Sequence, residues 1–486
     1  MPVAGTGYNE EVKSSRTYKY ERIADDIAHL IETGALRPGD AIPSVRELSR
    51  QRRVSISTVL QAYYQLEARG LVEARERSGF YVRRKLPFAL PEPEISSPAP
   101  DPSQVSMRDL VLRVVLADTQ QPDLVQMGAA HPNPQIAATR KLNRLLASVA
   151  RRLGDRGGMY DYVPGAEALR AQIARRALAA GCRLGPDDVV ITSGCTESVS
   201  LCLRAVCQPG DTVAIESPIS FDALQCLEVL GLQALEIPTH PRDGISLDAL
   251  RFAVEHNRVS ACLVISNFNN PLGSCIPDNN KQALVELLAE HQIPLVENDI
   301  FGEIYFGERR PQVAKAYDRQ GLVMLCSSFS KSLCPAYRVG WIVPGRFKGA
   351  ITWLRYTSSL ASPTLCELAI AEFLDSGSYD PYMRRVRRTY ARHVAAMSQA
   401  VRRSFPEECK LTRPAGGFVL WVQLPGAVDS LMLYRRALQA GIAITPGYLF
   451  SATDQYRNFV RLNAANWSDA AERAIERLGA MIGEMA

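Results

Sequence analysis

Apolar positions recur at helical spacing near the start of the chain. Tyr20, Ile23, Ala24, Ile27, Leu30 and Ile31 mark one face of a first helix that ends near Gly34, where Leu36-Arg-Pro-Gly39 turns the chain. A second helix is predicted from Pro43-Ser44-Val-Arg-Glu47, in which Ser44 and Glu47 have capping-box spacing. Val59, Ala62, Tyr63 and Leu66 give a third helix, opening at Ser55-Ile-Ser-Thr58 and stopped by Gly70. The pattern then changes period. Leu71 to Val82 reads as two short strands around a polar turn, so three helices and a hairpin make a winged helix-turn-helix.

Farther along, from about residue 121, apolar runs alternate with helical segments. The runs are Asp188 to Ile191, Thr212 to Ile215, Ala261 to Ile265, Ile293 to Val296 and Leu322 to Leu325. Continuous apolar runs in βα alternation predict an α/β body with a mostly parallel sheet buried on both faces. Between head and body, residues 86–105 hold six prolines and no glycine. Such a stretch is expected to be an extended, semi-rigid spacer reaching at most ~60 Å. The expected organisation is a tail over 1–17, a head over 18–84, a linker over 85–120 and a body over 121–486. The body divides into a large part, about 150–370, and a small part, about 375–486.

Composition adjusts this picture in three ways. With 486 residues, 47% hydrophobic and 22% charged, the chain reads as a soluble multidomain protein of the cytoplasm, and no apolar run is long enough for a membrane span. Its eleven cysteines all lie from Cys182 onward without metal-ligand spacing, which predicts reduced thiols and no metal site. Residues 1–85 hold 15 Lys and Arg against 11 Asp and Glu, a net of +4, of a total of +5 for the chain. A basic head on a nearly neutral body suggests a polyanionic partner, although a solvated charged face has the same composition.

Candidate chemistry sits where the body's strands end. Lys331, in Cys326-Ser-Ser-Phe-Ser-Lys331, follows an apolar run and so stands on a loop at the carboxyl end of a strand, where open α/β sheets bind ligands. A lysine there can form a Schiff base with an aldehyde cofactor, with serines and Arg338 near to hold a phosphate; alone, it reads more readily as a solvated surface lysine. Three more loops join it: Thr192-Ser-Gly194-Cys195-Thr196, whose helix start suits a phosphate; Asn267-Phe-Asn-Asn270-Pro271-Leu-Gly273; and Glu297-Asn298-Asp299-Ile-Phe301.

The string from Gly34 to Val82 resembles the DNA-binding domain of the GntR regulators. That resemblance implies a third helix in the major groove, with Arg46, Ser55, Ser57 and Thr58 as contacts and Arg77 and Gly79 on the wing. Ser55, Ser57 and Thr58 also suit plain helix capping, and Arg46 a surface ion pair. Ile56 stands where some members carry a guanine-reading arginine, so only an apolar contact, for instance to a thymine methyl, is open to it.

The four body loops, in their order, resemble fold type I pyridoxal 5'-phosphate enzymes of the aspartate aminotransferase family. The resemblance implies that Lys331 carries the cofactor, that Ser328, Arg338, Cys195 and Thr196 hold its phosphate, and that Asn270 donates to its phenolic oxygen. It also implies that Tyr160 reaches the cofactor of a partner subunit in a homodimer and that Arg461, in Phe459-Val-Arg461, binds an effector or substrate carboxylate.

Three positions depart from the family. Asn298 falls where an aspartate keeps the pyridine nitrogen protonated, Phe301 where a tyrosine is usual, and Ser220 where an aromatic ring stacks, with Phe221 beside it. A one-residue shift would make Asp299 the ring partner instead. Head, linker and body together resemble the MocR family of bacterial regulators. The expectation is a DNA-binding regulator sensing an amino acid, an amine or vitamin B6 through the cofactor. A working aminotransferase with an appended head, and a regulator whose body has lost the cofactor, remain the alternatives.

Overall fold

The computed structural model describes residues 19–33, 35–37, 39–68, 71–75, 79–82, 90–112, 114 and 123–486. The chain forms two compact units, Met1–Ala89 and Leu90–Ala486.

In the first unit, helices α1 (Lys19–Glu32), α2 (Val45–Arg52) and α3 (Ile56–Ala68) precede strands β1 (Val72–Arg75) and β2 (Gly79–Val82). The α1 stripe of Ile23, Ala24, Ile27 and Ala28 packs with Leu48 and with Val59, Ala62, Tyr63 and Leu66 of α3 in one core. Leu30, expected on that stripe, faces outward instead. Ser44 caps α2 by accepting from the Glu47 N–H at 3.2 Å, and the Ser55 hydroxyl accepts from the Thr58 N–H at 3.1 Å. The β1–β2 hairpin is held to the helices through the Ile42 N–H, which donates to the Phe80 carbonyl at 2.9 Å. This is the predicted winged helix-turn-helix; Arg77 lies outside the described residues.

The second unit starts earlier than its sequence pattern suggests. Residues 90–112 do not form a free spacer but a strap laid along the body. Leu90, Val105, Met107 and Val111 are buried in the main core, and β3 (Ser103–Gln104) adds an antiparallel strand to the central sheet. The Ser96 hydroxyl donates to the Ser217 carbonyl at 2.5 Å, and the Leu411 N–H donates to the Pro91 carbonyl at 2.8 Å. Proline-rich composition described the strap's extended shape but could not reveal the apolar side chains between the prolines as anchors.

After β4 (Val125–Gln126), the sheet is built from β5 (Val190–Thr192), β6 (Thr212–Ser217), β7 (Gln233–His240), β8 (Gly244–Ile245), β9 (Val259–Val264), β10 (Leu295–Asn298), β11 (Val323–Ser328) and β12 (Gly340–Val343). The order is β3-β7-β6-β9-β10-β11-β12-β5, with β8 on β7. From β7 to β11 all pairs are parallel; β12 runs antiparallel to both β11 and β5. The sequence reading missed β7, whose polar residues break the apolar run, and β12, whose four residues Gly340–Val343 make too short a run. Beyond the long helix Tyr379–Ser404, a second sheet follows the order β13 (Lys410–Leu411), β14 (Val419–Gln423), β17 (Phe459–Asn463), β16 (Thr445–Pro446), and β15 (Ile442–Ala443) pairs with β4. No helix among the described residues is long and apolar enough to cross a membrane.

Candidate functional site

Parallel pairing brings the ends of β9, β10 and β11 to one edge of the sheet, and β5 joins them through β12, so the four loops meet there. Close backbone approach shapes its anion end. A Cβ on Gly340 would lie 2.7 Å from the Gly194 Cα, and a Cβ on Gly194, whose φ is +107°, would lie 2.5 Å from Arg338 Nη2. Arg338 therefore lies over the start of the helix Cys195–Val206, donating to the Ser193 carbonyl at 2.9 Å and approaching Ser330 Oγ at 3.4 Å. Ser328 ends β11 in the same wall and accepts from the Ser330 N–H at 3.2 Å. Thr196 is exposed in the first turn of that helix. A guanidinium, hydroxyls and free helix N–H groups in one place can hold a phosphate.

Lys331 sits in the turn after β11. Its Nζ donates to the Ala130 carbonyl at 2.8 Å and lies 5.9 Å from the centre of the Phe301 ring. Burial pushes its pKa below the usual lysine range, so more of the nucleophilic neutral amine is present near neutral pH.

At the end of β10 the two candidate ring partners separate, because successive side chains on a strand point to opposite faces. Asn298 Oδ1 accepts from Cys195 Sγ at 3.3 Å and from the Ile300 N–H at 3.1 Å. Asp299 turns away: it pairs with Arg310 and accepts from Asn267 Nδ2 at 2.7 Å. The placement of Asp299 in the cofactor site is thereby corrected, since its carboxylate is committed to a buried ion pair. Cys195 is corrected in part: its thiol, kept protonated by burial, points to Asn298, so only its backbone is left to face an anion.

Arg461 stands in the middle of β17, between β14 and β16. Its Nη1 donates to Asn270 Oδ1 at 2.9 Å and its Nη2 to the Gly128 carbonyl at 2.7 Å, while Nε has no partner among the described residues. The Phe450 and Phe221 rings lie 5.0 and 5.7 Å from the guanidinium. Among the described residues no carboxylate pairs with it, and burial lowers its pKa to about 10. Ser220 occupies the N-cap position of the next helix without a side-chain cap bond, its buried hydroxyl meeting no acceptor or donor among the described residues, while Phe221 turns toward Arg461.

One wall escaped the sequence reading. The carbonyls of Gly128, Ala129, Ala130 and His131 accept in turn from Arg461, Asn463 (2.6 Å), Lys331 and Asn463 again (2.9 Å). Desolvation, with Lys331 and Arg461 close by, depresses the pKa of His131. Backbone acceptors leave no residue signature, although Asn463, two positions after Arg461 on the same face of β17, was within reach of a period-two argument.

Tyr160 is remote from its own chain's Lys331 loop in sequence and 68% exposed. It lies with Tyr162, Met159, Trp353 and Tyr356 in an exposed aromatic surface beside a groove of about 350 Å3. In the head, Arg46, Ser55 and Ser57 are exposed and Thr58 is half-buried. Gly79 has a φ of +102° where β2 begins, with open space around its Cα.

Comparison with known proteins agrees with both units. The family of aminotransferase class I and II matches residues 129–478, and the bacterial regulatory proteins of the gntR family match residues 19–82. The HTH-type transcriptional regulators YjiR and YdcR of Escherichia coli (strain K12) are 38% and 36% identical, over 95% and 96% of this chain and 98% and 99% of theirs. Among solved structures, the α-aminoadipate aminotransferase LysN of Thermus thermophilus, complexed with N-(5'-phosphopyridoxyl)-L-leucine, has a TM-score of 0.71 at 27% identity, covering 79% of this chain and 95% of its own. With a GntR winged helix-turn-helix at its start and a class I and II aminotransferase fold over the rest, the chain belongs to the HTH-type transcriptional regulators of the MocR type.

Proposed function

We propose that this regulator binds pyridoxal 5'-phosphate on Lys331 and senses an amino acid, an amine or vitamin B6 at the same site, acting in the cytoplasm as a homodimer on double-stranded DNA. The observation that carries this reading is Arg461. A buried guanidinium that no carboxylate touches, with only the charge of Asp222 acting on it, costs several kcal/mol of desolvation unless an anion completes it, and its Nε meets no acceptor among the described residues. A ligand carboxylate satisfies it through a two-pronged contact.

The residues present suit the cofactor. Arg338, Ser328, Ser330 and the helix start at Cys195 would hold the phosphate; Asn270 and Phe301 would flank the ring; Asn298 would face its nitrogen. Pyridoxal phosphate supplies an aldehyde that condenses with a primary amine, and a ring that draws electrons from the attached carbon. The chain's own part is to present Lys331 partly neutral, to fix the carboxylate with Arg461 and to leave the ring nitrogen facing an amide. An amide gives no negative charge to keep that nitrogen protonated, which favours binding over turnover. Asn298 therefore supports a sensor above a working aminotransferase, the second reading. Tyr160 in its exposed aromatic surface supports assembly with a second copy, whose site its hydroxyl would enter.

The test is the visible absorption of the purified protein before and after borohydride, with mass mapping of the modified lysine. A Schiff-base band that reduces to an adduct on Lys331 is expected, and so is a spectral change on adding amino acids that Arg461→Ala weakens about a hundredfold. No band after adding pyridoxal phosphate refutes the cofactor reading. Many turnovers of keto-acid release would instead establish the enzyme.

A further inference from the structure

The outward surface of α3 is unusual for a helix that reads a groove. Its inner residues Val59, Ala62, Tyr63 and Leu66 are fully buried, while Ile56, Ser57, Gln61 and Tyr64 are exposed. No lysine or arginine occurs between Ile56 and Ala68. The commonest base-specific contact, a basic side chain on guanine O6 and N7, is thus closed to this helix.

At its first position stands Ile56, 50% exposed. The hydroxyls around it are engaged with one another: Ser55 Oγ lies 2.8 Å from Ser57 Oγ and 2.7 Å from Thr58 Oγ1 and also accepts from the Thr58 N–H. The residues at the start of a recognition helix are the ones that contact base edges. A β-branched side chain there is stiff about χ1, so its methyl groups form an apolar prong with a set direction. Within the major groove the one apolar feature of a base edge is the 5-methyl of thymine.

We propose that Ile56 is a specificity-determining residue that reads the 5-methyl group of a thymine in the operator. The assignment rests on the reading of the head as a DNA-binding unit. Its test uses the full-length protein. Duplexes selected from a random library supply the bound sequence, and each thymine in it is replaced singly by uracil, which removes only the methyl group and keeps the pairing.

At least one such replacement is expected to weaken binding about three- to tenfold. In Ile56→Ala the same replacement should change nothing, with the salt dependence of binding unaltered because phosphate contacts are intact. Ile56→Val should keep a reduced methyl dependence, which guards against a folding artefact. Uracil duplexes that all bind within twofold of the thymine parent, or an Ile56→Ala protein that remains methyl-sensitive, overturn the assignment while leaving DNA binding standing. Failure to bind any duplex in a salt-dependent way overturns the reading of the head, and the assignment with it.

Discussion

At the scale of single residues, one strand end carries the proposed choice between sensing and catalysis. Asn298 faces the site and Asp299 faces Arg310, so this chain places its acid one residue away from where a pyridine ring would need it. Asn298→Asp supplies the missing charge, and the single-turnover conversion of bound cofactor to its amine form should accelerate at least tenfold on adding an amino acid, read from the loss of the aldehyde-form absorbance. An unchanged rate would place the ring nitrogen elsewhere. Glu216 makes a second residue-scale case. Burial lifts its carboxyl to about 8 against the opposing hydrogen bond from the Ile265 N–H and the nearby Asn269 amide, and its Oε1 has no hydrogen-bond partner among the described residues. An acid whose folded pKa is raised contributes stability that is intact below its unfolded value near 4.5 and is lost as pH rises toward 8. The unfolding free energy from urea titration should therefore fall for the parent relative to Glu216→Gln between pH 5 and pH 9, by more than about 1 kcal/mol.

Among elements, the strap of residues 90–112 changes what the chain between head and body is. Its prolines shape an extended run, but Leu90, Val105, Met107 and Val111 place four apolar side chains in the core, each worth roughly 1.5–3 kcal/mol when fully buried. Ion pairs tie it to both parts of the body, Glu92 with Arg242 and Glu94 with Lys410, although their exposed partners make these minor contributors. Only the seven residues 83–89 then stand between Val82 and Leu90. A body beginning at residue 90 is expected to express as a soluble, cooperatively melting protein, and one beginning at residue 123 to melt at least 10 °C lower or to aggregate. Equal melting temperatures would show that the strap is not part of the core.

For the molecule as a whole, the exposed surface of Met159, Tyr160, Tyr162, Trp353 and Tyr356 is the feature that a single copy leaves unexplained. Trp353 is 65% exposed and stacks on Tyr356 at 6.3 Å, a large apolar area for a solvated helix face. Under the homodimer proposal, Trp353→Glu should shift the protein from dimer to monomer in sedimentation and should also lower its retention of pyridoxal phosphate on dialysis. A variant that stays dimeric, or a monomer that retains the cofactor as well as the parent, would count against an interface at this surface.

The sequence by itself determined both architectures, because short-range periodicity reports directly on which face of a helix or strand is buried: α1 and α3 follow from their apolar spacing and β6, β9, β10 and β11 from their apolar runs. It also singled out Lys331, Asn270, Arg338 and Arg461, whose residue types and strand-end positions are local properties. Tertiary structure alone decided the rest. The facing of Asn298 against Asp299 depends on the pairing of β10 with β11, the docking of the strap on residues of β6, β7 and β13 far away in sequence, and the wall at residues 128–131 on carbonyls that every residue possesses. Each of these is set by contacts between distant segments, and neither periodicity nor residue type records which distant group a side chain will meet.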